Sequence, residues 1–354
     1  MYHNNLSDYI CWCGTVTFDK SPLNLFDSMV FSQLAYANIE DLPMSDKKEM
    51  TLRELHSRLY QTGKFKNTGL GNAAEAERFF DLVCRSKRFS GVVLENWQTT
   101  FSSEEDEQFA AMTFRTQASE ADGASEANEE GAPVRYLAFR GTDDSVVGWK
   151  EDFMISFSVT SAQKKALKYL HDALRYNGLY YVGGHSRGAN LALYSTCLCD
   201  DEDRAQIRQI HLFDGPGLCP EVLEPGVISA IKDKVINLTP EYDVIGQLFA
   251  PDIPDTRIVK SCEEGLMQHD LLTWQIQLGK LVTVDKHDAN SRAISLGINR
   301  WIEKADMPAR QNFVNTLFDA IGSGGRSSIS QIAGEGPLAF EKLSFVSFVP
   351  IKAF

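Results

Sequence analysis

The chain has 354 residues, 43% of them hydrophobic and 23% charged, proportions that fit a globular protein with a full core and exclude a chain disordered throughout. Its net charge of −13 repels a phosphate backbone, so nucleic acid is not expected as a general partner. No stretch reaches the roughly 18 apolar residues that span a bilayer. Met1-Tyr2-His3-Asn4-Asn5 lacks the basic and apolar regions of a secretory leader, so a cytoplasmic location is expected.

The first ninety residues read mainly as helix. Phe26, Met29, Val30, Leu34 and Ala35 form a helical stripe within Leu25 to Ala37, and further helices are expected over Met50 to Tyr60 and Ala73 to Phe89. From Val92 the period shifts toward two. Val92-Val93-Leu94 and Phe109 to Phe114 read as neighbouring strands joined by the acidic turn Ser102 to Glu107. The acidic run Gln117 to Pro133 contains no large apolar side chain and reads as a mobile surface loop.

Strands and helices then alternate. The strands are Val134 to Phe139, Tyr180 to Val182, Ile210 to Phe213, Val235 to Leu238 and Thr256 to Lys260. The helices between them are Ala162 to Tyr176, with Ser161 as its cap, Asn190 to Cys199, and one around Val222 to Lys232. This order predicts a largely parallel sheet covered on both faces, an α/β fold. Amphipathic helices follow over Ala289 to Lys304 and Pro308 to Ile321. A Gly-Ser run, Gly322 to Ser328, leads to a short helix and an apolar tail. Residues 1–282 are expected to form the α/β domain and 283–354 a C-terminal extension packed on it.

The seven cysteines include no CxxC pair and no His or Cys partner at zinc-finger spacing. They read as reduced, mostly buried thiols, and neither a metal nor an organic cofactor is expected.

The chemical signal is Gly184-His185-Ser186-Arg187-Gly188, a GxSxG with a strand before it and a helix after it. A serine on such a turn is held in a strained backbone with its hydroxyl above the sheet. The Arg187 amide then opens a helix, where unpaired N–H groups favour a developing oxyanion. The hydroxyl needs a base and an orienting carboxylate, expected at later strand ends. Only His211, His269 and His287 follow Ser186. His211 opens a strand and His287 reads as exposed helix-capping sequence, which leaves His269, in the loop after Thr256 to Lys260. For the acid, Asp243 follows the strand Val235 to Leu238. Glu241 and Asp214 are its rivals, although Asp214-Gly215-Pro216-Gly217 reads more simply as a strand-ending turn.

Three spaced segments resemble class 3 lipases of the α/β-hydrolase fold. These are Leu137 to Asp144 with Trp149 and Asp152, the elbow with Ala189-Asn190-Leu191-Ala192, and Asn237 to Ile245. Through Asp8-Tyr9-Ile10, Trp12, Gly14, Ser32 to Tyr36 and Gly265 to Trp274, the chain resembles a bacterial lipase-like family of unknown function still more closely. The resemblance implies a mostly parallel sheet and a triad of Ser186, His269 and Asp243. It also implies an oxyanion hole from Thr142 and Arg187, braced by Arg140 and Asp152. The expected function is hydrolysis of a carboxylic ester, of a small acyl ester or a lipid, through an acyl-enzyme. A thioesterase, amidase or acyltransferase would use the same residues, and a binding protein could keep the fold without turnover. The segment Asp143 to Gly148 is not amphipathic as a lipase lid would be. The apolar tail Leu343 to Ile351 is expected to pack on its own domain, with membrane contact as the alternative.

Overall fold

A computed structural model describes residues 4–39, 49–63, 65, 69, 71–102, 107–116, 133–143, 154–155, 158–176, 178–224 and 226–322, with side chains to 316 only in the last segment. The acidic run, Trp149, Asp152 and the apolar tail lie outside them, apart from Pro133.

Four helices open the chain: α1 (Leu6–Cys13), α2 (Leu25–Leu34), α3 (Leu52–Thr62) and α4 (Ala73–Arg85). Their starts are set locally. Asn5, Asn24 and Thr51 each accept the amide of the residue three on, and Asp8, Asp27 and Glu54 return the bond to the cap amide. Each such cap contributes about 1 kcal/mol by satisfying amides with no partner inside the helix. Helix α3 stops at Gly63, whose φ of 62° suits glycine. Beneath these helices Arg88 is buried against Asp27, with Nε to Oδ1 at 2.8 Å and Nη2 to Oδ2 at 2.5 Å. Its remaining N–H groups donate to the carbonyls of Val16, Ser21 and Pro22, and its guanidinium lies 3.9 Å from the Phe18 ring centroid.

One nine-stranded sheet forms the centre, in the order β1-β2-β3-β4-β5-β6-β7-β8-β11. Strands β1 (Glu49–Thr51), β2 (Val93–Ser102) and β3 (Glu107–Thr116) are antiparallel, the last pairing with β4 (Val134–Phe139). From β4 the sheet is parallel through β5 (Leu179–His185), β6 (Ile207–Phe213), β7 (Val235–Pro240) and β8 (Thr256–Val259). The short β9 (Ile276–Gln277) and β10 (Lys280–Leu281) pair with each other, and β11 (Thr283–Val284) closes the large sheet against β8. The sheet therefore continues past residue 282, the expected domain limit.

Five parallel strands in sequential order have a consequence. Right-handed crossovers put every connecting helix on the same face, so the other face needs another cover. Helices α5 (Ser161–Ala173) and α6 (Arg187–Leu198) take the first face, with Leu170, Ala192 and Leu191 against Leu137, Phe139 and Val182. The N-terminal helices cover the second, where Phe31, Phe89, Phe114 and Tyr136 share one cluster with Trp274. Most of the expected elements are present, with shifted ends. Helix α5 is capped by Thr160 instead of Ser161. The helix expected around Val222 to Lys232 is instead two short 3₁₀ turns, Val227–Ala230 and Lys232–Lys234. Gly226, at φ 100°, turns the chain there and interrupts the stripe Leu223, Val227, Ile231 before it can form a helix.

Helix α7 (Asp201–Gln206) precedes β6. The C-terminal helices α8 (Ala289–Lys304) and α9 (Met307–Gly322) start where the sequence places them, within one residue. Ile298, Ile302 and Val314 pack on Val244, Ile245 and Leu248, beside the site at the carboxyl ends of the strands.

Candidate active site

Strand β5 runs straight into helix α6 with Ser186 as the only residue between them. Ser186 has φ 58° and ψ −131°, a region that L side chains rarely adopt. The turn is locked on both sides. The Ser186 amide donates to the Phe213 carbonyl at 2.8 Å, and the Ser186 carbonyl accepts from the Ala189 amide at 2.9 Å. Three glycines allow this closeness. A Cβ on Gly184 or Gly188 would collide with the Phe139 carbonyl, and one on Gly141 with the Tyr36 hydroxyl and the His185 carbonyl. The GxSxG pattern is therefore a steric requirement of helix α6 crossing the end of β4.

Because β6 lies beside β5, the residue after Phe213 enters the same site. Asp214 has φ 46°, an excursion that aspartate tolerates better than most residues. Its amide is held by the Leu238 carbonyl at 2.8 Å. Asn190, on α6, steadies the same turn by donating to the carbonyls of Pro216 and Gly217 at 3.0 Å. The Asp214 Oδ2 lies 2.6 Å from Nδ1 of His269. Since a carboxylate only accepts, Nδ1 carries the proton and Nε2 the lone pair.

This arrangement corrects the expectation for the acid. Asp243, expected to orient His269, instead turns its Oδ1 inward to accept the Gly246 amide at 2.7 Å. The same amide lies 3.2 Å from Oδ1 of Asp214, so the two carboxyls share a donor. Asp214 follows β6, which adjoins the elbow strand β5, and Asp243 follows β7, one strand further along. Glu241 directly follows β7, and its carbonyl accepts the Asp288 amide at 2.8 Å.

His269 is buried, and burial holds its imidazole far below the usual range, at about 3. It is therefore neutral at physiological pH. Burial pushes both Asp214 and Asp243 upward, and Asp243 rises further because the Asp214 charge faces it. Burial, helped by the Glu75 and Glu263 charges, also lifts the neighbouring Asp270 carboxyl to about 7.

A second imidazole supports the first. His185 Nε2 lies 2.7 Å from the His269 carbonyl, and its Nδ1 lies 2.8 Å from the Tyr36 hydroxyl. The carbonyl can only accept, so His185 carries its proton on Nε2 and takes the Tyr36 O–H at Nδ1. Burial and the facing His269 ring keep it uncharged. On the opposite side Thr142 is buried after Gly141, and Arg187 opens α6. The Arg187 guanidinium donates to the Gln108 carbonyl at 2.6 Å, and the Gln108 side chain donates to Asp143 at 3.3 Å. That chain links the elbow to the loop carrying Thr142. The Arg140 amide is fixed by the Ala110 carbonyl.

The one metal-capable cluster among the described residues is His171, Asp200 and Asp203, at the far end of α5, with Arg175 on the other nitrogen of the imidazole. No described helix is long and apolar enough to cross a membrane. The seven cysteines are free, and Cys84, Cys197, Cys199 and Cys219 are buried.

A family model described as Mbeg1-like matches residues 83–319, more than half of the chain. The chain belongs to the Mbeg1-like family. The match takes in Thr142, Ser186, Asp214, Asp243 and His269, and leaves out Tyr36. Among solved structures, one titled a crystal structure of M37 lipase is similar over 64% of this chain and 69% of that chain, at 16% identity and a TM-score of 0.34. No curated protein matches. The strand order, the elbow after β5 and the acid-bearing strand ends are those of an α/β-hydrolase fold.

Sequence reasoning gave no role to Tyr36, His185 or His287. His185 occupies a variable position of GxSxG, where the motif carries no information. His287 was expected to be exposed, yet its Nε2 lies 2.8 Å from the Thr239 hydroxyl and 3.6 Å from Oδ2 of Asp243. Asp288 does cap α8, and that cap turns the preceding histidine inward. Asp214 could have been found from its place directly after a strand adjoining the elbow strand. Likewise His211 lies within β6, its ring stacked between those of Tyr136, Tyr181 and Phe213.

Proposed function

We propose that the protein is a serine-dependent carboxylic ester hydrolase with Ser186 as nucleophile, His269 as general base and Asp214 as the acid that orients the imidazole. The observation that carries the reading is the pairing of a strained serine elbow with a buried, neutral histidine whose Nδ1–H is held by a carboxylate. A serine hydroxyl is hardly ionised at neutral pH and needs a neighbouring base with an available lone pair. With Nδ1–H donated to Asp214, the lone pair is on Nε2, the nitrogen such a base uses.

Ser186 Oγ attacks the ester carbonyl while His269 Nε2 takes its proton. The imidazolium so formed is balanced by the Asp214 charge and then protonates the leaving alcohol. Water repeats the sequence in reverse to release the acid. The tetrahedral oxyanion is received by the amides of Thr142 and Arg187, and losing one such donor costs about 10²–10³ in turnover. The apolar residues beside the site, among them Tyr242, Phe249, Leu266 and Met267, favour an acyl ester or lipid as substrate class.

The test is covalent labelling by a fluorophosphonate, read by intact mass, together with hydrolysis of p-nitrophenyl esters of increasing chain length. Wild type is expected to gain one label, and Ser186→Ala and His269→Ala none. A folded wild type that takes no label and cleaves no ester would overturn the reading.

A further inference from the structure

We infer that Asp243 is a positioning residue that keeps a proton and donates it to Asp214, so that the base His269 faces an acid–carboxylate pair with a single negative charge. The inference rests on the proposed roles of Ser186, His269 and Asp214.

The two carboxyls are unequally supplied with donors. Both carboxyls are buried, with Asp214 and Asp243 each at 1% exposure, and they stand side by side on one backbone amide, that of Gly246, at 3.2 and 2.7 Å. Asp214 has a donor for each oxygen: the His269 imidazole at Oδ2 and the Gly246 amide at Oδ1. Asp243 has donors on one side only. Its Oδ1 takes the Gly246 amide at 2.7 Å, while its Oδ2 is buried with no hydrogen-bond partner. A buried anionic oxygen with no donor is costly, because nothing replaces the water it gave up. A hydroxyl at that position removes the cost. Oδ1 then acts as a carbonyl oxygen accepting amides, and Oδ2–H donates to the neighbouring carboxylate.

The charges around the pair point the same way. Among the described residues the ion-pair contacts to these carboxyls come from two imidazoles, His269 on Asp214 and His287 at 3.6 Å from Asp243. Both imidazoles are held neutral by burial, and Arg292 facing His287 acts in the same direction. No lysine or arginine is paired with either carboxyl among those residues. Two adjacent carboxylates with no cation repel each other, and the pair relieves this by retaining one proton. The retained charge of −1 also matches what the reaction creates, one imidazolium. Asp243 neither gains nor loses its proton during turnover. It fixes the Asp214 carboxylate in the plane that His269 needs.

The experiment is a crossed pair of variants with an optical readout. Asn is the isostere of a protonated aspartic acid, so Asp243→Asn keeps a donor toward Asp214 and is expected to lower kcat by no more than about tenfold. Asp214→Asn leaves His269 with the wrong partner and is expected to lower kcat by about 10⁴-fold, the usual cost of a mis-set tautomer. Infrared difference spectra of wild type minus Asp243→Asn in D₂O, at a pH above the Asp270 range, should show the C=O stretch of a protonated carboxyl. The reverse pattern of losses, or the absence of that band, overturns the inference. Should Asp243→Asn not fold, Asp214→Asn decides alone, and retention of activity within tenfold overturns it. The infrared band needs no turnover. A wild type that shows the band yet takes no fluorophosphonate label therefore removes the hydrolase reading and leaves the shared proton standing.

Discussion

The strain at Ser186 can be measured without any substrate, by replacing the serine with alanine in one variant and glycine in another. Both variants lack the hydroxyl, so they differ only in a methyl group and in backbone freedom. At an ordinary buried position alanine is the more stable of the two. It keeps about 0.8 kcal/mol of buried methyl and avoids about 0.5–1 kcal/mol of glycine chain entropy. At φ 58° and ψ −131° a Cβ is itself the problem, and a residue held in such a region costs about 1–3 kcal/mol. The conformation cannot relax away, because the Phe213 carbonyl and the Ala189 amide pin it on either side at 2.8 and 2.9 Å. Setting these against each other, Ser186→Gly should lie between about 0.8 kcal/mol less stable and about 1.7 kcal/mol more stable than Ser186→Ala. Urea unfolding followed by far-ultraviolet circular dichroism, with m-values compared, measures the difference. An alanine variant more stable than the glycine variant by about 1.5 kcal/mol or more would mean that the elbow stores no strain.

Two further outcomes concern stability away from the elbow. Arg88→Met should cost about 3–5 kcal/mol, since it strands the Asp27 charge in the core, and adding Asp27→Asn should recover part of the loss. A single-variant loss under about 1 kcal/mol in the same urea assay would refute the buried pair as a structural tie. The second concerns His211, which burial lowers from 6.5 to about 3. Between those values the unfolded chain holds the extra proton, so stability rises with pH across the window and is complete above 6.5. At pH 5 this imidazole accounts for about 2 kcal/mol less stability than at pH 7.5. In His211→Phe, which keeps the aromatic stack, the gap between the two pH values should narrow by about that amount. An unchanged gap would show that His211 is protonated in the native state.

How much could be read in advance depended on how local the cause was. Helix starts at Asn24, Thr51 and Asp288 are set by side chains within three residues, and the parallel strands by short apolar runs, so the chain order alone reveals them. The elbow was legible for the same reason: small residues around a serine between a strand and a helix describe one turn. Choosing the acid was a different kind of problem. Asp214 and Asp243 are both aspartates that follow strands, and the local difference, the Gly215-Pro216-Gly217 turn after Asp214, points away from Asp214. The choice between them depends on β6 lying next to β5, on the backbone turning at Asp214, and on the Gly246 amide serving both carboxyls.

The same division applies to the supporting groups. Tyr36 and His185 are 149 positions apart in the chain, and their hydrogen bond exists because the N-terminal helices cover the face of the sheet that sequential crossovers leave open. What the sequence determined by itself was most of the elements, the α/β class and the serine elbow, since each depends on periodicity or a short motif. What only the tertiary structure decided was which carboxylate meets His269 and which residues hold that pair in place. Those contacts join strands and helices far apart in the chain, and their geometry depends on how the sheet is ordered.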